Sequence, residues 1–283
     1  MNVLIALREE KDFTSNEKAV KDYILRHKND IFAMSIQSLS AATYVSPATI
    51  VRLSKKIGCS GFADFKQKFI QDVKTFEFYN IDVLDDSAIT QNDSLQKIID
   101  KITKITLSSI EETKMMIDEQ SIKKAAKMIH EAKIVDIYGI ESSGIVANDA
   151  VSKLMRIGKV AFHFDSQGRQ LIQAKNSDKD HIGIIISYTG ETKVMIEIAE
   201  ELLKNNVEII TITSNTRNSL VQLSDNNLYV SSRETVMRSG AVASRASSMY
   251  LIDLIQNICI LMDYDKATKN IEKTRVIEKN QKM

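Results

Sequence analysis

Residues Ile182–Thr192 read I-G-I-I-I-S-Y-T-G-E-T, an apolar run that breaks into Ser187, Thr189, Gly190 and Thr192 before the helical pattern K-V-M-I-E-I-A-E-E-L-L. A buried parallel strand that opens through hydroxyls into a helix N-terminus is a ready seat for a phosphate. Unpaired helix N–H groups face the anion, and the hydroxyls donate to its oxygens. Polar residues recur after the other expected strands: Ser142 and Ser143, then Ser214, Asn215 and Thr216, then Ser231, Ser232 and Glu234. One such cluster could be simple helix capping; its repetition predicts a polar small-molecule pocket. A dinucleotide site is disfavoured, because Gly139–Gly144 lacks the G-x-G-x-x-G spacing and no Walker motif occurs.

A second chemistry lies near the N-terminus. Residues 46–68 hold Arg52, Lys55, Lys56, Lys66 and Lys68 against the single acid Asp64, while residues 80–95 hold Asp82, Asp85, Asp86 and Asp93 and no base. The net charge of +1 is therefore divided, with local positive charge of the kind nucleic-acid contact requires. Ser46-Pro47 is a helix start, with Ser capping the orphan N–H groups and Pro at the first helical position. From there Ile50, Leu53 and Ile57 share one face, and the pattern stops at Gly58. Ala48, Thr49, Arg52, Lys55 and Lys56 are expected wholly or partly outward. Such a helix fits the major groove, its early residues at base edges and its basic ones on phosphates. Ser46 is read first as a cap that can also touch a phosphate.

The elements that position these groups fall into two classes. Residues 1–78 carry a 3.6-residue apolar period and no strand pattern. Thr14 or Ser15 can cap a helix bearing Ala19, Val20, Tyr23 and Ile24, with Glu17 three residues after Thr14 as a capping-box partner. Ser35 caps Ile36–Thr43, Tyr44-Val45-Ser46 makes a tight connection, and Phe62, Phe65, Phe69 and Val73 pack a further helix, with Lys66 near its start. Acidic, aperiodic residues 79–94 read as a linker. Helices are expected over 95–115, with Leu95, Ile98, Ile99, Ile102, Ile105 and Leu107 as the apolar set, and from Ser121 to Glu131. Beyond Lys133 the pattern alternates: strands Ile134–Tyr138, Val160–Phe164, Ile182–Ile186, Glu208–Thr213 and Asn227–Val230, with helices between. That predicts a parallel sheet covered on both faces, with ligands bound beyond its carboxyl edge.

The 283 residues suffice for one α/β core and a smaller module, and one Pro with nine Gly favours long regular elements. No run of 18 apolar residues and no signal-peptide pattern occurs, so the expectation is a cytoplasmic protein without membrane contact. Cys59 and Cys259 make no disulfide framework, and four scattered His make no zinc site, so no metal or cofactor is expected.

Ser187-Tyr188-Thr189-Gly190-Glu191-Thr192 resembles the S-x-S/T-G-x-T phosphate loop of sugar isomerase (SIS) domains. Met34–Leu39 and Val45–Leu53, continuing through Lys56–Phe62, resemble the RpiR-type helix-turn-helix. Arg238–Arg245 is similar to the segment that opens the last long helix of the same proteins. On these motifs the chain is identified as a member of the RpiR/MurR family of transcriptional regulators. The resemblance implies an all-α helix-turn-helix domain (1–78) and linker (79–94). A helical lead-in (95–132) then precedes an α/β three-layer SIS domain with a five-stranded parallel sheet (133–265) and a C-terminal tail (266–283). It implies a homodimer or homotetramer that binds double-stranded operator DNA under control of a phosphorylated sugar or amino-sugar effector, and no catalysis.

By family pattern Ser187, Thr189 and Thr192, in the loop with Gly190, hold the phosphate. Ser143 assists from the first loop and Glu234 contacts sugar hydroxyls; Ser142, beside Ser143, is either a further ligand contact or simply a helix cap. Ser46, Ala48, Thr49, Arg52, Lys55, Lys56 and Lys66 are the candidate DNA contacts. One departure stands out: such domains commonly carry G-x-G-x-S after the first strand, whereas Gly139-Ile140-Glu141-Ser142-Ser143 places Glu141 where the second glycine is usual. A carboxylate there repels a phosphate unless it turns outward or meets a cation; it could bind an amino group or narrow the pocket. The rival reading is a phosphosugar aldose–ketose isomerase with an accessory helical module. It needs a base over the sugar, for which His163, His181 and Glu234 are the candidates considered.

Overall fold

The structure is a computed structural model that describes residues 2–10, 12–78, 89–231 and 241–280. The chain divides into two compact units, Met1–Ser87 and Ala88–Met283.

The first unit is helical. α1 (Val3–Glu9) starts at Asn2, whose side chain accepts from Ile5 N–H. This helix was not expected: Val3, Leu4, Ile5 and Leu7 are all fully buried, so the apolar residues form a continuous run rather than one stripe. α2 (Ser15–Arg26) carries the expected capping box between Thr14 and Glu17, and buries Val20 and Ile24. α3 (Ile36–Thr43) is capped by Ser35 and ends where Tyr44 turns left-handed at φ 55°. α4 (Pro47–Lys56) follows, with Pro47 in its first turn and Ser46 accepting from Thr49 N–H. α2, α3 and α4 pack on one another through Ile24, Leu39, Ile50 and Leu53, all fully buried. α5 (Phe62–Phe78) packs on α1 and α4 and buries Phe65, Phe69, Val73 and Phe76.

The second unit begins with α6 (Leu95–Met116) and α7 (Glu119–Glu131). Parallel strands and helices then alternate: β1 (Ile134–Tyr138), α8 (Ser142–Arg156), β2 (Val160–Phe162), α9 (Gln167–Asn176), β3 (His181–Ile186) and α10 (Lys193–Lys204). They continue with β4 (Glu208–Ser214), α11 (Ser219–Gln222) and β5 (Asn226–Val230), and the chain closes with α12 (Val242–Met262) and α13 (Tyr264–Asn280). The sheet order is β2-β1-β3-β4-β5, every neighbouring pair parallel.

Side-chain alternation sorts the sheet's residues between two covered faces. Val135, Ile137, Ile184, Ile186, Ile210 and Ile212 point to the layer of α7, α8 and α12, while Tyr138, Ile185 and Ile209 meet α9 and α10. The result is the three-layer α/β domain with five parallel strands.

Three details differ from expectation. α6 turns a polar face inward, burying Ser108, Ser109, Glu112 and Thr113, and leaves Leu95, Ile99 and Leu107 exposed. Two of these groups meet the end of β5, since Ser231 N–H donates to Thr113 Oγ1 at 2.9 Å and Ser231 Oγ to Glu112 Oε2 at 2.5 Å; Ser109 Oγ donates to the Thr106 carbonyl at 2.8 Å, and Ser247 Oγ to the Ser109 carbonyl at 3.1 Å. β2 ends at Phe162, so His163 lies beyond the strand rather than within it. Most of the stretch from residue 266 is helical, in α13. Most of the linker expected over 79–94, and Glu234, lie outside the described residues.

Candidate functional site: a hydroxyl-lined pocket and a helix-turn-helix

Sheet order reverses between β1 and β3, because the chain steps from β1 out to β2 and returns on the other side to β3. That leaves a crevice between the carboxyl ends of β1 and β3, where open α/β sheets bind ligands. A cavity of about 280 Å³ occupies it, lined by the loop Ile140–Ser143, by Ser187, Tyr188, Thr189 and Thr192, and by Ala241 and Ser244 at the start of α12. Of the expected ligand residues, Ser142, Ser143, Ser187, Thr189 and Thr192 are brought together here.

The loop after β3 is built by short local bonds. Gly190 N–H donates to the Ser187 carbonyl at 3.1 Å, Ser187 Oγ to Thr192 Oγ1 at 3.3 Å, and Glu191 N–H to Thr189 Oγ1 at 3.2 Å. Gly190 does not line the cavity but makes the turn, at φ 64°; a Cβ there would sit 2.1 Å from Asn218 Oδ1. The Glu191 carboxylate is turned to α11, accepting from Ser219 N–H at 2.7 Å and Ser219 Oγ at 2.9 Å.

The loop after β1 is braced by Gln170, fully buried. Its amide accepts from Gly139 N–H at 3.1 Å and donates to the Gly139 carbonyl at 2.8 Å. Gln170 was not anticipated, since its partners lie on a different element. Tyr188, Ala241 and Ser244 were likewise absent from the expected site.

The helix ends supply the electrostatics. Glu141, Thr192 and Ala241 stand at the N-caps of α8, α10 and α12, and none makes a side-chain cap bond to its helix. Three helix N-termini thus open on one cavity with first-turn N–H groups uncapped by those side chains, the arrangement that favours an anion. Ser214 bonds Thr216 at 3.0 Å outside the cavity lining, and Ser231 is buried against α6. Neither histidine lines the cavity. His163 Nδ1 donates to the Ile137 carbonyl at 3.0 Å, and His181, at the amino end of β3, pairs with Asp136 at 2.6 Å.

In the helical unit, α3, the turn at Tyr44 and α4 form a helix-turn-helix. Ser46, Ala48, Arg52 and Lys55 are exposed along α4. Thr49 departs from its expected outward place. It is buried, its Oγ1 accepting from Arg52 Nη2 at 2.9 Å and lying 3.1 Å from Ser46 Oγ. Lys56 bends back to α2, pairing with Glu17 at 3.3 Å over the Phe13 ring. Burial pushes the Glu17 carboxyl up, but bonds from Thr14 and Lys56 outweigh it and hold it below the ordinary range. Lys66 donates to the Met34 carbonyl at 2.8 Å. Of the four basic candidates, Arg52 and Lys55 remain turned outward.

The family model described as the helix-turn-helix domain of the rpiR family matches residues 1–75, and that of the SIS domain matches residues 128–257. An uncharacterized HTH-type transcriptional regulator of Caldanaerobacter subterraneus subsp. tengcongensis is 30% identical over 276 residues, spanning 96% of this chain and 95% of the relative. The chain belongs to the RpiR family of helix-turn-helix transcriptional regulators with an SIS domain. This RpiR-family regulator is also 30% identical to YbbH of Bacillus subtilis, over 92% of this chain and 90% of that one. Among solved structures it is similar to the Vibrio vulnificus NanR protein complexed with ManNAc-6P, at TM-score 0.61 and 25% identity over 98% of this chain and 97% of that one. A putative sugar-phosphate isomerase of Listeria monocytogenes shares the SIS fold, at TM-score 0.56 and 21% identity over 66% of this chain and 98% of that one. No described helix of the regulator is long and apolar enough to cross a membrane.

Proposed function

We propose that this regulator binds a phosphorylated sugar in the cavity between β1 and β3 and that occupancy changes its affinity for operator DNA. The single observation that carries the reading is the convergence of Ser143, Ser187, Thr189 and Thr192 on one cavity at the N-termini of α8, α10 and α12. A phosphate there accepts from hydroxyls and uncapped N–H groups, and the remaining volume suits a sugar. The NanR neighbour, complexed with ManNAc-6P, supports the same ligand class. Glu234 is proposed to reach the sugar hydroxyls from the segment before α12.

Residues 1–78 are proposed as the DNA-binding domain, 79–94 as a linker, 95–132 as a helical lead-in, 133–265 as the effector domain and 266–283 as its C-terminal extension. Arg52 and Lys55 neutralise phosphates or meet base edges, with Ala48 and Ser46 at the leading end of α4. Thr49 holds Arg52, and Lys56 and Lys66 contribute field rather than direct contact. The working form is a homodimer or homotetramer in the cytoplasm; the exposed Leu95, Ile99 and Leu107 of α6 offer an apolar face for self-association. Effector binding shifts DNA affinity only by the difference in its own affinity for the two arrangements.

The protein is proposed to sense rather than turn over its ligand. The helix-turn-helix unit and relatives named as HTH-type transcriptional regulators support this, and neither His163 nor His181 lines the cavity as a base over the sugar carbons. A thermal-shift screen of sugar phosphates, followed by operator titration with each hit, tests the reading. Stabilisation by a sugar phosphate with a change in DNA affinity and no product supports it. Conversion of the hit to its ketose or aldose isomer supports the enzyme reading instead.

A further inference from the structure

Glu141 combines three properties that no other described residue of the cavity shares. Its backbone lies at φ 52°, ψ −121°, outside the left-handed helical region that Tyr44 and Ala241 occupy and in territory that only glycine enters without strain. Its carboxylate is exposed, with no hydrogen bond or ion pair to any described residue. Among the described residues it is also the sole charged side chain lining the cavity. The neighbouring acid, Glu191, has its carboxylate taken up by Ser219, so the contrast is not a general feature of these loops.

A carboxylate beside an anion seat is unfavourable for a ligand that is purely anionic, and backbone strain persists only where the surroundings hold it. The electrostatic cost is offset if the ligand brings its own cation, which gives the strained carboxylate position a use. The hydroxyls and helix N-termini take the phosphate; the carboxylate is left for a positive group elsewhere on the same molecule. We propose that Glu141 selects, among sugar phosphates, an amino-sugar phosphate with a free, protonated amine, pairing with the ammonium. This rests on the phosphosugar reading above and narrows it. Acetylating the amine removes the positive charge, and an ordinary sugar phosphate has none, so both leave the carboxylate unpaired against a dianion.

The test is calorimetric titration of the full chain with glucosamine 6-phosphate and mannosamine 6-phosphate, each beside its N-acetylated form, and with glucose 6-phosphate. At least one free amine is expected to bind tenfold or more tightly than its acetylated partner and than glucose 6-phosphate. The near-isosteric Glu141→Gln is expected to lose that preference while still binding the phosphate. Glu141→Gly is expected to lose it too and to melt at a higher temperature, because it relieves the backbone.

Equal or tighter wild-type binding of the acetylated forms or of glucose 6-phosphate overturns this inference alone, as does a preference that survives in Glu141→Gln. Failure of every sugar phosphate to bind, with Thr189→Ala indistinguishable from wild type, overturns the phosphosugar reading and this inference with it.

Discussion

Arg52 Nη2 donates to Thr49 Oγ1 across 2.9 Å, one turn back along α4, and Thr49 Oγ1 lies 3.1 Å from the capping hydroxyl of Ser46. A buried threonine thus links the helix cap to the exposed guanidinium. That restricts the long side chain in the free protein, so the DNA contact proposed for it would lose less rotamer freedom.

Arg52→Ala should therefore weaken operator binding by about 1–3 kcal/mol, and with Lys55→Ala should reduce the salt dependence by about one to two phosphates. Thr49→Val, which keeps the volume but removes the acceptor, should cost less than Arg52→Ala and leave melting nearly unchanged. Fluorescence anisotropy at several salt concentrations checks both; wild-type affinity in the Arg52→Ala, Lys55→Ala double variant would remove α4 from the DNA interface.

Lys56 should behave differently. With its ammonium engaged by Glu17 and stacked over Phe13, Lys56→Ala should lower the stability of the helical unit by about 0.5–1.5 kcal/mol and barely change the salt slope. Denaturant titration beside DNA binding separates the two effects. A loss of salt slope as large as that of Arg52→Ala would restore Lys56 as a direct contact.

Thr189→Ala should weaken the effector response by roughly 10- to 100-fold, the cost of about 1.5–3 kcal/mol for a hydrogen bond to a charged group, while effector-free DNA binding stays intact. Gly190→Ala should be worse, because φ 64° and the 2.1 Å approach to Asn218 force the loop apart. We expect a lost response and a stability decrease of about 1–3 kcal/mol. Ligand titrations and melting curves of the two variants together check this.

Asp72 sets a pH dependence. Burial pushes its carboxyl up to about 6, although Val3 and Leu4 N–H groups donate to it at 2.6 and 3.1 Å. In the unfolded chain it titrates near 3.8. Between these values the folded state holds a proton that the unfolded state has released. Its stabilisation is complete below about pH 4 and is lost as pH rises through about 6, a change on the order of 2–3 kcal/mol. Asp72→Asn keeps an acceptor for α1 but cannot titrate. Denaturation of both proteins from pH 4 to 7 should show this fall in the wild type and a flatter profile in the variant; parallel profiles would rule the assignment out.

Signals that act within about one helical turn were legible. Thr14, Ser35 and Ser46 cap helices at positions given by residue type, and the hydroxyl cluster at Ser187–Thr192 closes on itself through bonds no more than five residues apart. Alternation and apolar runs sufficed for the five strands, and the departure at Glu141 was visible as a residue type. α1 was missed because Val3–Leu7 is apolar on every side, so no period marks it. The inward turn of α6 was missed because its buried Thr113 and Glu112 find their partner in Ser231, and its Ser109 carbonyl in Ser247, far along the chain.

Residue order alone carried the fold, the hydroxyl-rich loop after β3 and the basic α4, because periodicity, capping and strand-end chemistry depend on near neighbours. Which charges stay free depended on distant contacts. Lys56 meets Glu17 39 residues away and Lys66 meets Met34 32 residues away, while Arg52 and Lys55 are left outward. Folding likewise brought loops from β1 and β3 and the start of α12 around one cavity, and gave Glu141 a backbone conformation that its side chain disfavours. Such outcomes follow from long-range packing and the satisfaction of buried polar groups, which no local window of residues contains.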